Sequence, residues 1–166
     1  MKKIWMLFIL LGMIMLGCAT TDVNTQKSQL QIREFQTRAY DTNDTKMVMK
    51  AMLNVLQDDG YIVKNAVVDM GLLSAEKSVD IQNKGEAFML QLFGGQNAVY
   101  KKASIIECSA NVSEYGKECR VRVNFQVKIM DNKGGIMKIE QINDAKYYQD
   151  FFSKVDKGIF IQKEKI

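Results

Sequence analysis

The residues with chemistry to offer are three cysteines and one acidic pair, in a 166-residue chain that has no histidine. Without imidazole there is no Ser-His-Asp or Cys-His unit, and no histidine ligand for a metal. Cys108 and Cys119 alone are too few ligands for zinc. The adjacent carboxylates of Asp58 and Asp59 could hold a cation or a partner's arginine. They fall where a helix should end, a place where the macrodipole disfavours negative charge and a turn-forming Asp beside Gly60 is ordinary. No third group supports them in acid–base work. Gly94-Gly95 is not a phosphate loop, because no Lys-Ser/Thr follows it. These residues predict no enzyme, no metal and no bound cofactor.

Cys18 stands apart. Before it run Met1-Lys2-Lys3, an apolar stretch from Ile4 to Leu16 and the small residue Gly17, the pattern of a secretory signal. At ~1.5 Å rise per residue the stretch spans about 20 Å, short of the roughly 30 Å hydrocarbon core. Met15-Leu16-Gly17-Cys18 resembles the lipobox of bacterial lipoproteins. That resemblance implies cleavage between Gly17 and Cys18, diacylglyceryl transfer to the Cys18 sulfur and acylation of the new amino group. Ala19, where an Asp would signal retention, implies outer-membrane export and a periplasm-facing chain. The covalent lipid on Cys18 would then be the membrane anchor, at ~0.8 kcal/mol per buried CH₂. Residues 1–17 form the signal, 18–30 the lipidated cysteine with a polar tether, and 31–166 one domain. Losing Lys2 and Lys3 reduces the 23 basic residues to 21 against 19 acidic ones. A net charge of +2 is no footprint for nucleic acid.

The elements that would position a site follow from periodicity. A strand is expected over about 31–40, with Ile32, Phe35 and Tyr40. Asp41-Thr42-Asn43-Asp44 offers a cap for a helix over Thr45–Asp59, whose apolar residues recur at three- and four-residue steps and which Gly60 can end. Strand patterns follow at 61–69, 72–82 (broken by Lys77), 102–113, 119–130 and 136–142. Cys119 to Met130 alternates most regularly. Asn143-Asp144 then caps a final helix carrying Tyr148, Phe151, Phe152, Val155 and Ile159 at helical spacing, with Tyr147 off that stripe. The expected class is α+β: an antiparallel sheet of about five to six strands with two helices packed on one face, in the order β-α-β-β-β-β-β-α.

That order resembles the helix-grip arrangement of some outer-membrane assembly lipoproteins. Particular strings resemble more. Phe35-Gln36-Thr37-Arg38, Val55-Leu56-Gln57-Asp58-Asp59-Gly60-Tyr61, Gly71-Leu72-Leu73-Ser74-Ala75-Glu76-Lys77, Val121-Arg122-Val123-Asn124-Phe125 and Tyr147-Tyr148-Gln149-Asp150-Phe151-Phe152 with Ile159-Phe160 are similar to a family of small, largely uncharacterised Gram-negative lipoproteins. The resemblance implies no catalytic residues.

Two features carry the remaining expectations. Phe88, Met89, Leu90, Leu92 and Phe93 form an apolar cluster between Gly85 and Gly94, read either as a plug of the sheet or as a lid or contact surface. Cys108 and Cys119 share the apolar face of neighbouring strands, in a compartment where a disulfide persists. A turn centred on Tyr115-Gly116 would leave them ~13 Å apart at about 3.3 Å per residue, against the roughly 7 Å a bridge allows. A bridge and two buried thiols both stay open. The function expected is a non-catalytic, lipid-anchored domain making protein contacts in the cell envelope. The alternative is a carrier of a lipid or other apolar ligand between the sheet and the last helix.

Overall fold

The computed structural model describes residues 28–80 and 101–164. Gly17, Cys18 and the cluster Phe88, Met89, Leu90, Leu92 and Phe93 lie outside the described residues.

The first element corrects the sequence reading. Residues Gln29–Phe35 form a helix, α1, and only Thr37–Tyr40 form the strand β1. The cause is a capping box: the Gln31 amide donates to Ser28 Oγ at 3.3 Å, and the Ser28 amide donates to Gln31 Oε1 at 2.9 Å. Helical spacing then brings Ile32 into the interior and leaves Phe35 half-buried against it.

Helix α2, Thr45–Asp58, follows the expected pattern. Asp44 Oδ1 accepts from the Met47 amide at 2.9 Å, which satisfies a donor at the helix start. Its buried stripe is Val48, Met49, Ala51, Met52, Val55 and Leu56. Gly60, with φ of 81°, ends it in a Schellman motif. The Gly60 amide donates to Gln57 O at 2.9 Å and the Tyr61 amide to Leu56 O at 2.8 Å.

The remaining elements are β2 (Ile62–Val67), β3 (Leu72–Asp80), β4 (Lys101–Tyr115), β5 (Glu118–Asp131), β6 (Ile136–Gln141) and α3 (Ala145–Glu164). All strand pairs are antiparallel, giving the six-stranded α+β sheet expected, in the order β1-β5-β4-β3-β2. Strand β6 also pairs with β5, along Gln126–Met130, beyond the stretch Cys119–Arg122 that pairs with β1. Helices α2 and α3 cover one face. They approach closely where Gly158 meets Ala51, since a Cβ on Gly158 would lie 3.3 Å from the Ala51 Cβ.

Two short strands sharing one edge of β5 leave a seam, and the seam is filled. The Val123 amide donates to Gln36 O at 2.9 Å, and the Phe125 amide donates to the buried Tyr148 Oη at 3.0 Å. The Ile142 amide returns a bond to Phe125 O at 2.9 Å. Backbone donors that neither strand reaches are thus met by one glutamine carbonyl and one phenol. The rings of Tyr147, Tyr148 and Phe151 surround Phe125, with centroids 5.1–5.5 Å away in edge-on geometry.

The β4–β5 turn sits one residue later than expected. Gly116 and Lys117 form it, and Tyr115 faces Glu118. Val112 therefore pairs with Val121, Cys119 with Glu114, and Cys108 with Phe125. The cysteines stand six positions apart on the shared ladder, ~20 Å at about 3.3 Å per residue. Both are buried free thiols, which resolves the open pair against a bridge.

Candidate functional site

A cleft of about 370 Å³ opens where the end of α2 meets α3 and the sheet. Val79, Ile106, Phe125 and Phe151 form its apolar floor. Its rim is polar, and at one end Asp150 is paired with Lys146 at 2.8 Å.

Lys77, the residue that breaks the alternation of β3, faces the helices. Its Nζ donates to Asp59 O at 2.6 Å and lies 5.8 Å from the centre of the Tyr61 ring. A cation there caps a carbonyl that the helix leaves without a partner, and it sits at the negative end of the macrodipole. Lys154, reaching over from α3, bonds Asp59 Oδ1 at 2.5 Å. The carboxylate that looked misplaced at a helix end is thereby paired from α3, while β3 holds the carbonyl of the same residue. Asp58, its neighbour, remains an exposed residue at the helix end, so the structure brings only Asp59 into the site.

Tyr61 and Tyr147 meet across the cleft, hydroxyl to hydroxyl, at 2.8 Å. Burial raises both phenols above their ordinary range, and for Tyr61 the hydrogen bond shared with Tyr147 raises it further. Both are neutral at physiological pH. Of their two O–H protons one is spent between them, and the other remains able to donate. The cleft can therefore hold a small, mostly apolar molecule and offer it one neutral donor. It presents no activated nucleophile. Cys108 beneath the helices is pushed up to about 12 by burial, and Cys119 is raised by burial and by Glu114 and Asp44, so neither is a thiolate. No group of three His, Cys, Asp or Glu side chains able to hold a metal occurs among the described residues. No described helix is long and apolar enough to cross a membrane.

The opposite face of the sheet is polar and carries two shallow depressions of about 320 and 490 Å³ that share Ser109 and Asn124. Glu107 lies there, accepting from Lys128 Nζ and Gln126 Nε2 at 2.5 Å each. These bonds hold its carboxyl below the ordinary range, against a smaller opposing effect of burial.

Exposed apolar side chains gather on β6. Ile136, Met137 and Ile139 are 55%, 47% and 51% exposed, and every residue of the strand is exposed. One edge of β6 is bonded to β5, and the other has no strand partner among the described residues. Sequence periodicity marked this strand but not the state of its outer edge, because hairpin residues read alike whether that edge is covered or bare. The Tyr61–Tyr147 pair, 86 residues apart, and the Lys154–Asp59 pair, 95 apart, were likewise beyond local reading.

The fold defines a class: an α+β domain whose antiparallel sheet is covered by helices on one face. No protein-family model matches the chain, and no curated protein matches it. Among solved structures it is similar to a DUF4468 family protein from Bacteroides ovatus, with a TM-score of 0.40, 6% identity, and coverage of 74% of this chain and 84% of that one. It is also similar to a TBP-like protein from Parabacteroides distasonis, with a TM-score of 0.39, 8% identity, and coverage of 74% and 90%. Both neighbours are bacterial proteins, and the likeness carries no residue of function to this chain.

Proposed function

We propose that the chain is a non-catalytic lipoprotein, held in the outer membrane by lipid on Cys18, whose periplasm-facing domain makes protein–protein contacts in the cell envelope. The observation that carries the contact reading is β6. Among the described residues it pairs on one edge only, and it exposes Ile136, Met137 and Ile139 together, where single apolar side chains scattered over a surface would mean nothing. Support for the anchor is the Met15-Leu16-Gly17-Cys18 string. Replacing Cys18 with Ser should shift the chain from the membrane fraction to the soluble fraction and abolish fatty-acid incorporation. A photo-crosslinking residue at Met137 in intact envelopes should give a discrete protein adduct, and one at Lys64 should not. Uncrosslinked chain alone at both positions would sink the contact reading.

The carrier reading has one observation in its favour, the cleft floored by Val79, Ile106, Phe125 and Phe151. Its roughly 370 Å³ lies near the small end of ligand sites, and the aromatic cluster around Phe125 closes the space behind it. A lipid would need more room. Mass spectrometry of the intact purified chain should find no non-covalent lipid; a stoichiometric one would favour the carrier.

A further inference from the structure

We propose that the partner of β6 is a second copy of β6, the two strands running antiparallel about a two-fold axis at Ile139. This inference rests on the contact reading above and gives its partner a chemistry.

Backbone direction comes first. The Ile142 amide donates to Phe125 O at 2.9 Å, so residue 142 turns its polar groups toward β5. In an antiparallel ladder this orientation alternates, so 138 and 140 also face β5. Ile139 and Gln141 then direct their N–H and C=O groups away from β5, toward an edge that has no strand partner among the described residues, while Met137 is the extra residue of the irregularity. Two copies can pair there only if outward residues meet outward residues, which places the two-fold axis on a residue and never between two.

Charge then selects the residue. With the axis on Lys138, lysine faces lysine; with the axis on Glu140, glutamate faces glutamate. Like charges directly opposite are destabilising. With the axis on Ile139, Lys138 of each copy faces Glu140 of the other and Ile139 faces Ile139. Of the three axes within the regular stretch Lys138 to Glu140, this one makes the strand self-complementary. Within a single copy Lys138 Nζ already contacts Glu140 Oε1 at 2.5 Å, with both side chains more than half exposed. Such a pair is worth little, so exchanging partners across the axis costs little. A closed two-fold contact also ends assembly at the dimer, because each copy offers one such strand among the described residues. Tethering both copies in one membrane raises their effective concentration, which suits a short interface.

The other edge of the sheet cannot do this. Strand β2 is irregular between Val63 and Asn65, where Lys64 is the extra residue, and an axis on Lys64 would set lysine against lysine. The irregularity of β6 lies at its first residues and leaves Lys138 to Gln141 in register with β5.

The test uses the full chain in its own envelope. Ile139→Cys would place two thiols across a hydrogen-bonded pair whose Cα atoms are about 5.5 Å apart, within reach of a disulfide. Mild oxidation should give a band of twice the chain mass on a non-reducing gel. Ile62→Cys, on the opposite edge at 67% exposure, should give none above the background of the unmodified chain, which already contains the buried thiols Cys108 and Cys119. Adding Lys138→Glu should lower the dimer yield roughly tenfold, and Lys138→Glu with Glu140→Lys should restore it. Equal bands at 139 and 62, no band at 139, or no rescue by the double exchange each overturn the proposal. If Met137 instead crosslinks to a protein of different mass, self-pairing falls while the contact reading stands.

Discussion

The two edges of the sheet are built from similar material and left in different states. At the β2 edge, Lys64 forces an irregularity into the middle of a six-residue strand and pairs with Glu76 at 2.8 Å. At the β6 edge the irregularity comes at the start, and the rest of the strand runs straight with apolar side chains on show. A bulge and a lysine at mid-strand are standard ways to keep an edge from recruiting another chain. One edge is defended along its length; the other is defended at one end only. The placement of a single extra residue separates a surface that repels strands from one that can accept a strand.

The largest expected effect breaks the defended side. Gly71, at φ of 62°, brings the backbone so near β4 that a Cβ would lie 1.9 Å from Val112 O, and the Val112 amide donates to Gly71 O at 2.8 Å. Gly71→Ala should cost about 3 kcal/mol or more, read in urea unfolding, because the clash and the left-handed backbone add together. Next comes the seam beside β6. Tyr148→Phe leaves the Phe125 amide and the Gln36 side chain without their shared acceptor, and should cost about 2 kcal/mol in the same measurement. Loss of less than ~0.5 kcal/mol would mean that water replaces the phenol.

Two smaller effects sharpen the contrast. Deleting Lys64 makes Val63 and Asn65 adjacent opposite Ala75 and Ser74, straightening β2. Its edge should then self-associate, visible as a rise in light scattering at concentrations where the unmodified chain stays clear. The smallest effect is one of pH. The carboxyl of Glu107 is lowered in the folded state, so its contribution is complete above the unfolded carboxylate value near pH 4.3 and drains away as pH falls through the lowered one. Glu107→Gln should lower the melting temperature slightly at neutral pH and flatten its fall below about pH 5, so that the two chains converge in acid. An unaltered acid limb would assign that fall to other carboxylates.

Much of the fold was legible because local signals agreed with one another. Helix α2 announced itself through Asp44, a three-and-four apolar step and Gly60; β5 did so through strict alternation from Cys119. Helix α1 was misread as strand because its capping box, Ser28 to Gln31, sits in a polar stretch where only Ile32 and Phe35 mark a helical face. The β4–β5 turn was placed one residue early because Tyr115-Gly116 and Gly116-Lys117 read equally well as turns; only the ladder decides. The site was legible in pieces. Asp59 and Lys77 each stood out as breaking a rule: Lys77 meets the Asp59 carbonyl and Lys154 meets its carboxylate, but nothing local tied the three together across 18 and 95 residues. Tyr147 looked like a stray from the α3 stripe until Tyr61 gave it a partner. Local irregularities of this kind are where the chain satisfies a demand set by a distant element.

The filled seam has a mechanical meaning. Since β1 and β6 abut along one side of β5 without bonding to each other in a ladder, the hairpin carrying β6 can fray as a separate unit while β1 stays seated. Its amides should exchange with solvent ahead of those of β4. The attachment at the end of this peeling is the Ile142 amide on Phe125 O, and the Phe125 amide is in turn held by a phenol from α3. Any pull applied to β6 by a bound strand therefore meets Phe125 first, and through Phe125 the helix that caps the core.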